Sequence, residues 1–220
     1  MFAYCNNNPA NCYDPSGMAT FWTSTGDVNP LLSGYYGFGG GGGGYRVIPK
    51  KTAYDRRSGL VVNQSSFNHS GEPVGLGTFA ANGCAVIATY NAVQLLGGFE
   101  SLGGIRDEYL HEHGSILYGL GGVGPWSFDN YFAKHGYSYT GYFSFSALNK
   151  NVSEGDVIVF TLMNNANDIT AGFHTMTAQY TGGIYQVYNA YSNCYSSSPM
   201  LDLRSVYKNS AWVYGYIVGG

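Results

Sequence analysis

The sequence predicts an α+β fold, with helices first and an antiparallel sheet afterwards. Three observations carry that expectation. Residues 82–98 form an apolar helical stretch, with Ala85, Ala88, Ala92 and Leu95 recurring at helical spacing and Val86, Tyr90, Val93 and Leu96 between them. Two shorter helical patterns come next, 105–114 and 126–136, each closed by glycine. Beyond Ala147 the pattern turns to short β-rich runs, two of them joined by Gly182-Gly183.

Composition bounds the function. The 220 residues suffice for one core plus an appendage. A net charge of −3 with only 10% charged residues leaves no electrostatic footprint for nucleic acid or an anionic membrane. No apolar run reaches the roughly 18 residues of a membrane span, and Met1 to Asn6 has neither the basic nor the apolar region of a signal peptide. Cys5, Cys12, Cys84 and Cys194 are too few and scattered for a disulfide framework or a four-thiolate zinc site. Low charge with 33 glycines and 21 tyrosines suggests a protein that works outside its producer.

Taken in order, residues 1–18 are dense in turn formers, Asn8-Pro9 and Asp14-Pro15-Ser16-Gly17 above all. Residues 19–58 form no core. Gly39 to Gly44 are six consecutive glycines and read as a flexible linker; no Lys-Ser/Thr comes after them to make a phosphate loop. Lys50-Lys51 and Arg56-Arg57 read as solvated surface. A globular domain is expected over 59–220. Leu60-Val61-Val62 reads as a short strand and 65–77 as a loop leading into the apolar helix, which Asn82 can cap and Gly97-Gly98 can stop. The alternating 137–145 reads as a strand, as do 156–162, 174–180, 184–189 and 212–218.

The candidate chemistry centres on Cys84, in the first turn of the apolar helix. Unpaired N–H groups and the helix dipole there favour a thiolate and can hold an oxyanion. A free cysteine is also often simply buried. His174 opens one strand of the hairpin and Asn189 closes the next, so pairing about Gly182-Gly183 brings them to one end. His174 would then pair with the thiol and protonate the leaving group, and Asn189 would orient the imidazole through its side-chain oxygen. His111 and His113 fall on different helical faces with no third ligand nearby, so no metal site is expected. His135 reads as a cap on the last carbonyls of its helix, and His69 has no visible partner. Cys194 reads as structural, a disulfide to Cys84 being the alternative, and Glu154 and Asp156 read as a turn at a strand entry.

Two resemblances extend this reading. Phe2-Ala3-Tyr4-Cys5-Asn6-Asn7-Asn8-Pro9, Asn11 and Asp14-Pro15-Ser16-Gly17 resemble the end of the core in rearrangement-hotspot (YD-repeat) proteins. That resemblance implies that the chain beyond this segment is the variable toxin domain of a polymorphic toxin, freed by self-cleavage near Asp14, Pro15 and Gly17. It also implies a secreted or surface-borne parent with its repeat shell, a cognate immunity protein, and action in a target cell. Met18 stands where that family has an aliphatic residue. The repeat shell is absent from the sequence, which would make this chain a fragment or a truncated reading frame.

The order Cys84, His174, Asn189, with Phe173 to Ala178 leading to Val187-Tyr188-Asn189, resembles papain-fold cysteine peptidases, most of all the branch that processes bacteriocin leaders. The resemblance covers roughly residues 60–220. It implies a central cysteine-bearing helix packed on an antiparallel sheet and a thiol hydrolase acting on peptide or amide bonds, without a cofactor. Thr78 stands where the family has its oxyanion-hole glutamine; Asn82 and Gln64 are the substitutes, Asn82 preferred because it adjoins the helix N-terminus. Glutamine deamidase and transglutaminase chemistry would use the same three residues. A binding or adhesive module with a buried Cys84 is the reading from another class, and an inactive fragment is a third.

Overall fold

The computed structural model of the chain describes residues 59–113, 123–190 and 196–219. Asp14, Pro15 and Gly17, the glycine-rich 19–58 stretch, Cys5, Cys12 and Cys194 lie outside the described residues.

A small antiparallel hairpin, β1 (Pro73–Val74) and β2 (Gly77–Thr78), leads into a single helical turn, α1 (Phe79–Asn82). Then come α2 (Cys84–Leu95), α3 (Leu102–His111) and α4 (Pro125–Lys134). After β3 (Ser138–Tyr142) and α5 (Phe145–Asn151) the chain is mostly strand: β4 (Val157–Met163), β5 (Phe173–Thr181), β6 (Ile184–Tyr188), β7 (Ser198–Met200) and β8 (Ala211–Gly219). The sheet runs β3-β8-β4-β5-β6-β7 with every neighbouring pair antiparallel. Mixed helix and antiparallel sheet is the α+β class. No helix among the described residues is long and apolar enough to cross a membrane.

Side chains of a strand alternate between faces, and β4 separates two cores by that rule. Val157 and Val159 join Tyr214, Tyr216 and Val218 of β8 against α2, α3 and α4. Ile158, Phe160 and Leu162 point the other way, with Met176, Ala178 and Val187, towards Leu148 of α5 and Leu203 and Val206. Because β4 is covered on both sides, it reads as an unbroken apolar run.

The central helix is buried nearly all round, from Ala85 to Val93. Its polar residues inside that wall are satisfied. Asn91 clamps the backbone of Val61, Nδ2 donating to the carbonyl at 2.8 Å and Oδ1 accepting the N–H at 2.9 Å. Thr89 Oγ1 meets the Tyr109 hydroxyl at 2.9 Å. Gly97 ends the helix region at a φ of 81°, which an L side chain rarely adopts. The α4 start is set by Pro125, and its buried face is Phe128, Tyr131 and Phe132.

Several expected elements differ in the structure. Asn82 does not cap α2; it closes α1, and Gly83 stands at the cap with its N–H on the Phe79 carbonyl at 3.0 Å. Leu60-Val61-Val62 joins no strand of the sheet: Val61 alone makes an isolated β-bridge, and Asn91 binds its N–H and carbonyl. The 137–145 run stops as a strand at Tyr142, and Phe145 begins α5 by packing on Trp212 and Tyr185. His135 stands at the C-cap of α4, but its ring goes to Glu108 and Glu100 instead of the helix carbonyls.

Candidate active site

Cys84 is the first residue of α2, and α2 lies along β5 in the same direction. Thr177 Oγ1 donates to the Ala88 carbonyl at 2.6 Å, and one turn earlier Thr175 presents both its N–H and its hydroxyl to the Cys84 sulfur. The N–H groups of Cys84 and Ala85 face the same sulfur, as expected at a helix N-terminus. Cys84 keeps part of its surface accessible. Enclosure of the sulfur nevertheless pushes the thiol pKa up, and the hydrogen bonds from Thr175 and Ala85 offset that only in part. The resting group is a thiol, not the thiolate that its helix position alone would favour.

The hairpin sets His174 against Asn189. Gly182 and Gly183, both at positive φ, make the two-residue turn, and the ladder pairs Thr181 with Ile184 through Thr177 with Tyr188. There it stops, because Asn189 takes a left-handed φ of 61° and turns its carbonyl inward. His174 Nε2 donates to that carbonyl at 2.6 Å. The bond places a hydrogen on Nε2 and leaves Nδ1 as the basic nitrogen of the neutral ring. His174 is fully buried, and burial pulls its pKa down to about 4 against the help of the Asn189 carbonyl.

Cys84 and His174 therefore lie towards the same end of the α2 and β5 layers but on opposite faces of the sheet, and not as an ion pair. The alternation that turns Thr175 and Thr177 to α2 turns His174 to the opposite face, where Leu162 pairs with it and the Tyr207 ring lies 6.2 Å away. The groups that hydrogen-bond the sulfur come from Thr175, Ala85 and Cys84 itself, and His174 is not among them.

The side chain of Asn189 has a different task from the expected one. Its Oδ1 accepts the Gln64 N–H at 2.8 Å and its Nδ2 donates to Gln64 Oε1 at 2.9 Å, so the imidazole is oriented by the Asn189 main chain instead. Gln64 is buried, and its Nε2 donates one of its two N–H groups to the Ala80 carbonyl at 3.0 Å. Asn82 differs. Its Nδ2 is buried with no hydrogen-bond partner among the described residues, two residues from Cys84. It rests on Gly77, where an added Cβ would come within 2.2 Å of it.

The residues that sequence reasoning missed are hydroxyls. Thr161 Oγ1 and Thr175 Oγ1 are 2.9 Å apart across β4 and β5, and Tyr214 pairs with Thr161 from β8. Alternation signals that Thr175 and Thr177 share a face, but only the packing of α2 shows that this face belongs to Cys84. Three of the other four histidines sit on carboxylates: His69 on Glu72, His113 and His135 on Glu108. Glu154 holds the hairpin turn through Thr181 and Gly182, and Asp156 closes a turn with Ser153.

No family model, no curated protein and no solved structure matches this chain, so the site stands on its own geometry.

Proposed function

We propose that this chain is a papain-like thiol hydrolase in which Cys84 attacks a peptide or amide carbonyl. The observation that carries the reading is a partly accessible cysteine on the first turn of a buried helix, with its own N–H, that of Ala85 and the unpartnered Asn82 amide around it. Cys84 Sγ would bond to the carbonyl carbon while its proton passes to His174 Nδ1, and the oxyanion would be held by the helix N–H groups and Asn82 Nδ2. Nδ1–H would then protonate the leaving amine, giving a thioester. Water, deprotonated by Nδ1, would release the acid and restore the thiol. Because both groups rest neutral, His174 acts as a general base in this scheme, not as a preformed imidazolium. The scheme requires His174 to move from the face it takes in the structure, bringing Nδ1 round the end of β5, where pairing with β4 persists but pairing with β6 has stopped, to the sulfur on the α2 side. Deamidation of glutamine and transfer to an amine use the same first step. Residues 1–18 support placing this hydrolase in a secreted polymorphic toxin with an immunity protein as its natural partner.

The contact of Thr175, instead of an imidazole, with the sulfur favours a second reading: a binding module in which Cys84 is structural. Reaction with p-nitrophenyl acetate separates the two. A hydrolase gives a stoichiometric burst of nitrophenol with an acetyl group on the Cys84 peptide. His174→Gln should slow it by about 100-fold or more, the usual weight of a general base, and Asn82→Ala by about 100-fold as a lost oxyanion donor. Acetylation that is absent, or indifferent to His174, leaves the binding module.

A further inference from the structure

Away from Cys84, the ends of α3 and α4 bring two imidazoles and three carboxylates to one place. His113 Nε2 lies 2.6 Å from Glu108 Oε1, and His135 Nε2 lies 3.0 Å from the same oxygen and 2.9 Å from Oε2. Glu112 completes a group in which one ligand atom each of Glu108, Glu112 and His113 lies within 4.8 Å of the others. His135 Nδ1 faces Glu100 Oε1 at 3.4 Å. A carboxylate on the far nitrogen of an imidazole is the arrangement that fixes the tautomer and ring of a metal-bound histidine.

We propose that Glu108, His113, His135 and Glu112 form a site for a first-row divalent cation, Zn²⁺ above all, clipping the end of α3 to the end of α4. Glu108, Glu112 and His113 already converge, and His135, which here reaches Glu108, would close on the ion to complete the two nitrogens and two carboxylate oxygens of a four-coordinate zinc site. The fixed charges are three carboxylates against the single ammonium of Lys134, which lies 2.5 Å from Glu112 and 3.1 Å from Glu108. Lys134 is half exposed, so it is a resident cation that can swing out to water when a metal takes its place. A second, independent observation points the same way. Tyr131 is fully buried, its ring stacks on His135 at 4.4 Å, and its hydroxyl has no hydrogen-bond partner among the described residues although Glu100 and Glu108 lie close enough for their charge to act on it. An orphaned hydroxyl beside the carboxylates fits a cluster whose shell is completed by a bound ion and its water.

The test is titration of the whole protein with Co²⁺ and Zn²⁺, read by calorimetry and by the visible absorption of bound Co²⁺. One equivalent should bind, without the sulfur-to-metal charge-transfer band that cysteine ligation would give. His135→Ala and Glu108→Gln should abolish saturable binding, and Glu100→Gln should weaken it about 10- to 100-fold as an outer-shell loss. Lys134→Met should tighten binding, because it removes the competing cation, and it keeps the test decisive if the other variants fold poorly. A purely structural ion-pair network predicts no binding in any of these proteins. That outcome overturns the site, as does binding that persists without His135 and Glu108 or that weakens in Lys134→Met.

Discussion

His174 is fully buried with its Nε2 on the Asn189 carbonyl, and burial lowers its pKa from 6.5 to about 4. The unfolded chain takes up this proton as pH falls through the ordinary value, while the folded chain refuses it until about pH 4. Stability from this group is therefore fully present above 6.5 and drains away between 6.5 and about 4, by roughly 3 kcal/mol in total. Urea unfolding of the native protein at about pH 7 and about pH 4 should show that loss. In His174→Gln, which keeps a donor for Asn189, this component should be missing; an unchanged difference between the two pH values would contradict the burial of a neutral ring. The same residue scale explains why the expected ion pair is absent. Helix position pulls the Cys84 thiol down, but enclosure of the sulfur outweighs it.

At the scale of elements, α2 depends on one side chain to hold the segment before the β1 hairpin. Asn91→Leu would keep volume but leave the Val61 N–H and carbonyl buried without partners, at a cost of about 3 kcal/mol. A drop in chemical-denaturation midpoint with unchanged slope would show it; a neutral substitution would mean that the 60–62 segment is not anchored as described. The strands around Gly182-Gly183 and the apolar helix were legible in the sequence, because their periodicities are clean and their turns are glycine pairs. α5 was not, since Phe145 continues the alternation of 137–143 and only its packing on Trp212 ends the strand. The approach of His174 to Asn189 came from hairpin register, whereas the face that His174 takes depends on where α2 lies, which no local pattern encodes. The Glu108 cluster is the same case: His113 and His135 meet on one carboxylate although they come from the ends of separate helices.

At the scale of the molecule, β4 is shared by both cores, so neither can melt while the other stays packed. Phe160, stacked on Trp212 at 5.9 Å on the α5 side, tests this. Phe160→Ala should cost about 3–5 kcal/mol. It should lower the unfolding midpoint equally for tryptophan fluorescence and for exposure of Cys84 to alkylation, although Cys84 lies across the sheet. Separate midpoints for the two probes would mean that the cores unfold independently.

The turn from α1 to α2 also governs how the protein ages. Asn82-Gly83 is the dipeptide that most readily cyclises to a succinimide, a reaction in which the glycine nitrogen attacks the asparagine side-chain carbonyl. Here that N–H is committed to the Phe79 carbonyl at 3.0 Å, Asn82 is held in helical conformation, and its amide is packed on Gly77. The folded chain thus shields its most perishable bond, while every excursion to the unfolded state exposes it. Each conversion to aspartate would set a permanent negative charge beside Cys84, so the fraction of deamidated Asn82 in an old sample would record how long its chains had spent unfolded.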